Sequence, residues 1–174
     1  MRITTEVGTI ELVNEPVYSF GSADNVRGYL FTKNLATQSI HGILLNGEPV
    51  AVLGCDGSGS VVHEHSAVYT NGFLYVAVGN CVVCIQLNPF AFKWSVQADT
   101  ATCFGVYFEG HRRALISHGE LEIARLSESG EVLWSASGAD IFTEGISLLP
   151  ECVEAVDFNG NVYRFNYENG QQST

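Results

Sequence analysis

Ala114-Leu115-Ile116-Ser117-His118-Gly119-Glu120-Leu121-Glu122-Ile123-Ala124-Arg125-Leu126-Ser127-Glu128-Ser129-Gly130-Glu131-Val132-Leu133-Trp134-Ser135 is the stretch on which the fold turns. Its short apolar runs are broken by Gly119-Glu120 and by Glu128-Ser129-Gly130, with nothing at helical spacing, so it reads as three strands joined by tight turns. A shift of forty positions shows that it is one copy of a repeat. Trp94-Ser95 falls on Trp134-Ser135, Gly79 on Gly119, Gly105 on Gly145, and Val76 on Ile116 and then on Val156. The turns follow: Asn71-Gly72 lands on the His111-Arg112 bend and then on Pro150-Glu151-Cys152, and Ser129-Gly130 lands on Asn169-Gly170. Self-similarity at this period decides the architecture before any single strand does.

With the strand that precedes it, the middle unit predicts strands over 106–109, 114–117, 121–126 and 132–135. The unit before predicts 67–70, 73–78, 81–87 and 92–96, and the unit after predicts 146–149, 153–158 and 161–167. Residues 40–50 resemble residues 123–133, close to two periods away, and mark a fainter first unit preceded by an extra hairpin over 9–20. The expectation is one all-β domain over 1–174: a degenerate first unit over 1–60, then repeats over 61–98, 99–138 and 139–174. About four forty-residue, four-stranded antiparallel units make a β-propeller-like array, small or incomplete.

Ala124 to Trp134 resembles the blade motif of the quinoprotein-like repeat family (PQQ-type, WD40-like), A-x-D-x-x-T-G-x-x-x-W. Ala124, Gly130 and Trp134 keep the spacing, Ser129 replaces the threonine, and Leu126 stands where the aspartate belongs. Cys84 to Trp94 keeps the tryptophan and has Phe90 for the glycine; Arg164 to Gly170 keeps only the glycine. The resemblance covers residues 60–170 and implies propeller blades. Full quinoprotein enzymes have about eight blades and a vicinal cysteine pair. This chain has at most four units and no adjacent cysteines, so the resemblance does not carry quinone-dependent dehydrogenation with it. Four units leave closure open between a tight ring, an open arc with blocked ends, and two arcs meeting in a homodimer. The extra hairpin would supply the cap that repeat arrays need.

Charge narrows the partners. The 174 residues carry 19 acidic and 8 basic side chains, a formal charge of −11, with only 16% charged residues and 46% hydrophobic ones. Such a chain folds, and its field disfavours phosphate backbones and anionic membrane surfaces, leaving basic proteins. Residues 111–174 hold ten acidic and four basic groups, so acidity is denser toward the C-terminus. The N-terminal residues lack an apolar signal core, and no apolar run reaches membrane-spanning length, which points to the cytoplasm. Cys55, Cys81, Cys84, Cys103 and Cys152 are an odd set among apolar neighbours and read as reduced thiols. The CxxC spacing of Cys81 and Cys84 lies on a strand, which sends the two side chains to opposite faces and favours a buried strand over a metal clip.

In a propeller, the loops entering the innermost strand and those between the second and third strands share one face near the axis. Here these are 59–65, 99–104 and 139–144, with 79–80, 118–120 and 159–160. Val62-His63-Glu64-His65 stands out, because an extended segment presents His63 and His65 on one face, as a strand offers two imidazoles to a metal. Glu144 matches Glu64 by two periods and Cys103 matches His63 by one, so the metal-ligating set is His63, His65 and Glu144. The wider ligand or partner set is His63, Glu64, His65, Cys103, His118, Thr143 and Glu144. The plainer reading of the histidines is surface or turn decoration. Gly57-Ser58-Gly59-Ser60 has no lysine or helix after it and is a connector rather than a phosphate loop. Glu120/Glu122 and Glu151/Glu154 lie at turns and strand ends, with no sheltered site for paired-carboxylate chemistry.

Three functions fit. The first is a non-catalytic scaffold, inhibitor or immunity-type protein that presents an acidic loop face to a basic protein partner, with no cofactor. The alternative is a metal-dependent hydrolase or small-ligand binder using Zn²⁺ or another divalent ion at the His-x-His site. The third is a subunit whose open sheet edge completes a partner's propeller.

Overall fold

The computed structural model describes residues 1–173, and among these there are strands and loops but no helix, hence none long and apolar enough to cross a membrane. The first sheet contains β1 (Arg2–Thr5), β2 (Gly8–Asn14), β3 (Phe31–Asn34), β4 (Ser39–Leu45) and β5 (Glu48–Cys55), in the order β1-β2-β4-β5-β3. The second runs β6 (Ala67–Thr70), β7 (Phe73–Val78), β8 (Cys81–Leu87), β9 (Phe90–Gln97), and the third β10 (Cys103–Glu109), β11 (Ala114–Gly119), β12 (Glu122–Leu126), β13 (Val132–Ser137). The fourth is three-stranded: β14 (Gly145–Leu148), β15 (Cys152–Val156), β16 (Val162–Asn166). Strands β6, β7 and β8 begin and end where the repeat predicts. Every pairing is antiparallel except that of β3 with β5.

Period-two alternation becomes packing because each middle sheet buries both faces. In β7, Leu74, Val76 and Val78 enter a core shared with the first sheet, while Tyr75 and Ala77 enter the core shared with the third. Cys81 and Cys84 divide in the same way. In β11, Leu115 faces back to the second sheet, and Ala114 and Ile116 face forward to Val153, Ala155 and Phe165. Three cores thus lie between consecutive sheets, and none joins the first sheet to the fourth among the described residues. The blades form an arc.

The two tryptophans set the step from blade to blade. Trp94 lies on Gly130 of the next sheet's outer turn and donates its indole N–H to Glu128 O at 2.8 Å; a Cβ on Gly130 would come within 2.6 Å of the ring. Forty residues on, Trp134 lies on Gly170 and donates to Tyr167 O at 2.7 Å, where a Cβ would come within 2.7 Å. Both glycines have φ of +89° and +68°, so the repeat keeps glycine for backbone and for space together. Phe90, at the corresponding position of the second sheet, meets no tryptophan. Phe31 of β3 stacks on Phe92 at 5.8 Å and touches Phe90 edge-on at 6.1 Å, so an added strand replaces the tryptophan contact.

The first unit departs from expectation. The hairpin predicted over 9–20 is instead β1–β2, because Glu15-Pro16 ends β2: proline removes a ladder donor and disfavours continuation. Residues 15–30 cross the outer face of the first sheet instead. The buried carboxylate of Glu15 accepts hydrogen bonds from Arg27 at 2.7 Å and Tyr29 at 2.6 Å, and the side chains of Tyr29 and Phe20 fill the spaces left by Gly42 and Gly54. That segment is the cap. The reading of all five cysteines as reduced is also corrected: Cys55, ending β5, and Cys81, starting β8, form a disulfide, while Cys84, Cys103 and Cys152 are free and buried. A separation of 26 residues could not reveal this, since the pairing depends on how the first two sheets stack.

Replacing Gly130 with alanine is expected to lower unfolding free energy by about 1–3 kcal/mol, from positive φ and the indole contact. In a Trp94→Ala background the same change should cost measurably less, since the clash is gone. Trp134→Ala should cost about 3–5 kcal/mol. Urea denaturation of the four variants checks all three.

Candidate functional site

Main-chain hydrogen bonds join the loops of one face into a continuous ridge. Asn80 N–H donates to Asp56 O at 2.9 Å, Cys103 N–H to Gly79 O at 2.8 Å, Glu120 N–H to Thr102 O at 2.7 Å, Phe142 N–H to Glu120 O at 2.8 Å, and Phe158 N–H to Ile141 O at 2.8 Å. Two buried carboxylates tie the ridge down. Asp99 accepts the N–H groups of Leu121 and Glu122, both at 2.9 Å, beside Gly119, where a side chain would strike it. Burial pushes the Asp157 carboxyl up, but hydrogen bonds from Asn161, Tyr163 and Asn159 outweigh it and hold it below the usual carboxylate range. These aspartates brace loops. The Gly57–Ser60 connector belongs to the same ridge, with Ser60 Oγ accepting Gly79 N–H at 2.8 Å.

Charge is segregated on this scaffold. Loop segments 56–66, 98–105, 118–122, 138–145 and 157–161 contain Asp56, Glu64, Asp99, Glu120, Glu122, Asp140, Glu144 and Asp157 but no lysine or arginine. All six arginines pair with carboxylates outside these segments: Arg2 with Glu11, Arg27 with Glu15, Arg112 with Glu151, Arg113 with Glu128, Arg125 with Glu168 and Arg164 with Glu154. Apolar side chains stand among the free acids, with Val61 70%, Leu121 40% and Phe158 63% exposed.

At the arc's inner edge the ridge borders a cleft of about 440 Å³ lined by His63, His65, Phe104, Tyr107, His118, Thr143, Gly145 and Ile146. Four predicted site residues, His63, His65, His118 and Thr143, therefore meet. The segment carrying the first two is a turn rather than an extended strand: Ser66 N–H donates to His63 O at 3.1 Å, and His63 N–H to Ser66 Oγ at 2.9 Å. The rings still lie 6.1 Å apart. Glu64 and Glu144 stand at the rims, Glu64 with Oε1 3.4 Å from His65 Nε2 and Glu144 accepting the Thr143 hydroxyl at 3.2 Å. Cys103 points away into the core between the second and third sheets, where burial pushes its thiol up to about 12.

Among the described residues no group of three or more His, Cys, Asp or Glu is placed to hold an ion. His63 Nε2 donates to Phe104 O at 2.6 Å while Nδ1 accepts the His65 N–H at 3.3 Å, so both ring nitrogens are occupied. His118 Nε2 is likewise held, 3.0 Å from Phe142 O, and burial brings its pKa down to about 4 despite that bond. Burial also pushes Tyr107 up to about 12, with smaller contributions from Cys103 and Glu64.

Phe104 and Tyr107 are site residues that the sequence does not single out: Phe104 ends the loop 99–104 assigned to the axial face, and Tyr107 reads as an ordinary strand aromatic within 106–109. A bulge between Cys103 and Gly105 takes Phe104 out of register and turns it to the cleft. The strand predicted over 106–109 starts after Gly105, so the bulge falls outside it and its glycine does not read as part of one. The ridge's exposed Leu121 and Phe158 carried no signal.

No family model matches the chain, and no curated protein matches it. Among solved structures it superposes on Sqt1 of Saccharomyces cerevisiae, a WD40 protein, with TM-score 0.60 and 14% identity over 80% of this chain and 42% of that one. BamB of Moraxella catarrhalis, a β-propeller, gives 0.58 and 14% over 78% and 43%. The computationally designed Ika8 gives 0.57 and 9% over 78% and 45%. The fold is propeller-like, and the chain spans less than half the length of each of these proteins.

Burial lowers the pKa of both His41 and His118, so below the ordinary histidine range the unfolded chain takes up protons that the native protein refuses. Stability should therefore fall as pH drops from about 6.5 toward 4, by up to about 1.4 kcal/mol per pH unit for His118, with His41 acting in the same direction. His118→Gln, whose amide can still donate to Phe142 O, should make the slope shallower in denaturation curves taken across that range.

Proposed function

We propose that the protein is a non-catalytic binding module whose acidic loop ridge engages a basic protein partner. Segregation of charge carries this reading. A field of one sign concentrated on one face steers oppositely charged partners and rejects like-charged ones. Exposed Val61, Leu121 and Phe158 supply the apolar anchors that charge alone lacks. Hydrogen bonds between loops fix the ridge before binding, so little conformational entropy is lost on association. Scaffold, inhibitor and immunity-type roles all use such a face, and the chemistry common to them is an acidic, partly apolar, rigid surface.

The test is retention on immobilised protein at two salt concentrations. At about 50 mM salt a basic protein is expected to bind, and at about 500 mM, where screening shortens to a few ångströms, it should be released. A triple variant Glu120→Gln, Asp140→Asn, Glu144→Gln should slow association at least about fivefold, while Glu48→Gln and Glu131→Gln, away from the ridge, leave it unchanged. Retention indifferent to salt and to the triple variant would sink the proposal.

A further inference from the structure

The cleft at the ridge's edge differs from the ridge itself: it is walled by rings and rimmed by charge. His63 has both ring nitrogens engaged where it stands, Nδ1 receiving the His65 N–H while Nε2 donates to Phe104 O. His118 is buried with Nε2 against Phe142 O. What the cleft offers is ring surface: His65 lies 4.9 Å from Tyr107, tilted by 31°, and Phe104 meets His118 edge-on at 5.6 Å. At its edge stand two carboxylates, Glu64 with Oε1 3.4 Å from His65 Nε2 and Glu144 accepting the Thr143 hydroxyl, each beside a residue that lines the cleft. No lysine or arginine lies in any of the segments that form it.

We propose that this cleft receives one cationic side chain, an arginine or a lysine, from the partner assigned to the ridge. The identity of the carrier rests on that assignment. Three features of the cleft select a cation. Tyrosine and phenylalanine rings attract cations through their negative faces, most strongly where water is thinned out. The two carboxylates at the edge complement its charge. The apolar walls suit the aliphatic stem that such residues carry, with the head reaching the rim. The volume of about 440 Å³ takes a long side chain together with the main chain that bears it. A neutral aromatic group would find the same rings but leave both carboxylates uncompensated, and a metal ion would find the ring nitrogens of His63 already engaged.

The probe is N-acetyl-arginine amide, with the neutral isostere N-acetyl-citrulline amide as comparison, titrated into the full chain and followed by amide NMR. Arginine should shift the amides of Phe104, Tyr107, Thr143 and Gly145 with millimolar affinity, and citrulline should bind at least about tenfold more weakly. Glu64→Gln with Glu144→Gln, both exposed, should weaken the arginine probe at least about fivefold, whereas Tyr107→Phe, which keeps the ring, should not. Spectra of the variants report directly whether each is folded. Equal shifts from citrulline, shifts centred on Leu121 and Phe158, or indifference to the two glutamine replacements would each overturn the proposal. The two readings fail separately. A salt-sensitive basic partner with a silent cleft removes this inference alone; arginine-selective shifts with no retained basic protein keep the cleft's specificity and remove the ridge's role.

Discussion

An indole ring laid on a glycine of the next sheet is the contact on which the arc depends. Sheets that bury both faces will stack in many ways, since apolar packing has no strong preference for direction. The Trp94 and Trp134 contacts remove that freedom. Each combines a flat ring, a residue with no side chain beneath it, and one indole hydrogen bond to a carbonyl of the following blade. The repetition of this joint at an interval of forty residues seats the third sheet on the second and the fourth on the third in the same way.

The joint was also the most legible feature of the chain. Trp94 over Trp134 and Gly130 over Gly170 were visible as matches at fixed spacing, and so were the turns between them, because a joint repeated at one interval leaves the same residues at that interval. The edges of β6, β7 and β8 followed from alternation bounded by turn residues. Where the repeat decays, legibility goes with it. The first sheet keeps only residues 40–50 as a likeness, and its cap is held by Glu15, Arg27 and Tyr29, a polar contact between parts of the chain that no local pattern connects. Parallel β3 could not be seen either, since its pairing with β5 is a matter of distant sequence.

The site was half legible for a related reason. Propeller geometry places certain loops on one face, so His63, His65, His118 and Thr143 could be nominated together, and they do meet. Their chemistry was less accessible. Whether an imidazole is a free ligand depends on what its nitrogens already touch, and for His63 those partners are a carbonyl from a bulge forty-one residues away and an amide two residues on. Cys103 shows the opposite error: periodicity put it in register with His63, but the strand's alternation turned its side chain to the core.

The ridge is held by main-chain atoms, by two buried aspartates and by Asp140, which accepts the Asn159 side-chain amide at 2.6 Å, while the other side chains that face solvent make little of the framework. Glu120 contributes its amide and its carbonyl to the chain of bonds, and Phe158 its amide, but the carboxylate and the ring are free of that duty. Form and recognition are thereby uncoupled. Exposed positions on the loops can drift to other charges or sizes without disturbing the blades, so a lineage built on this scaffold can change partners by substitutions that leave stability nearly where it was.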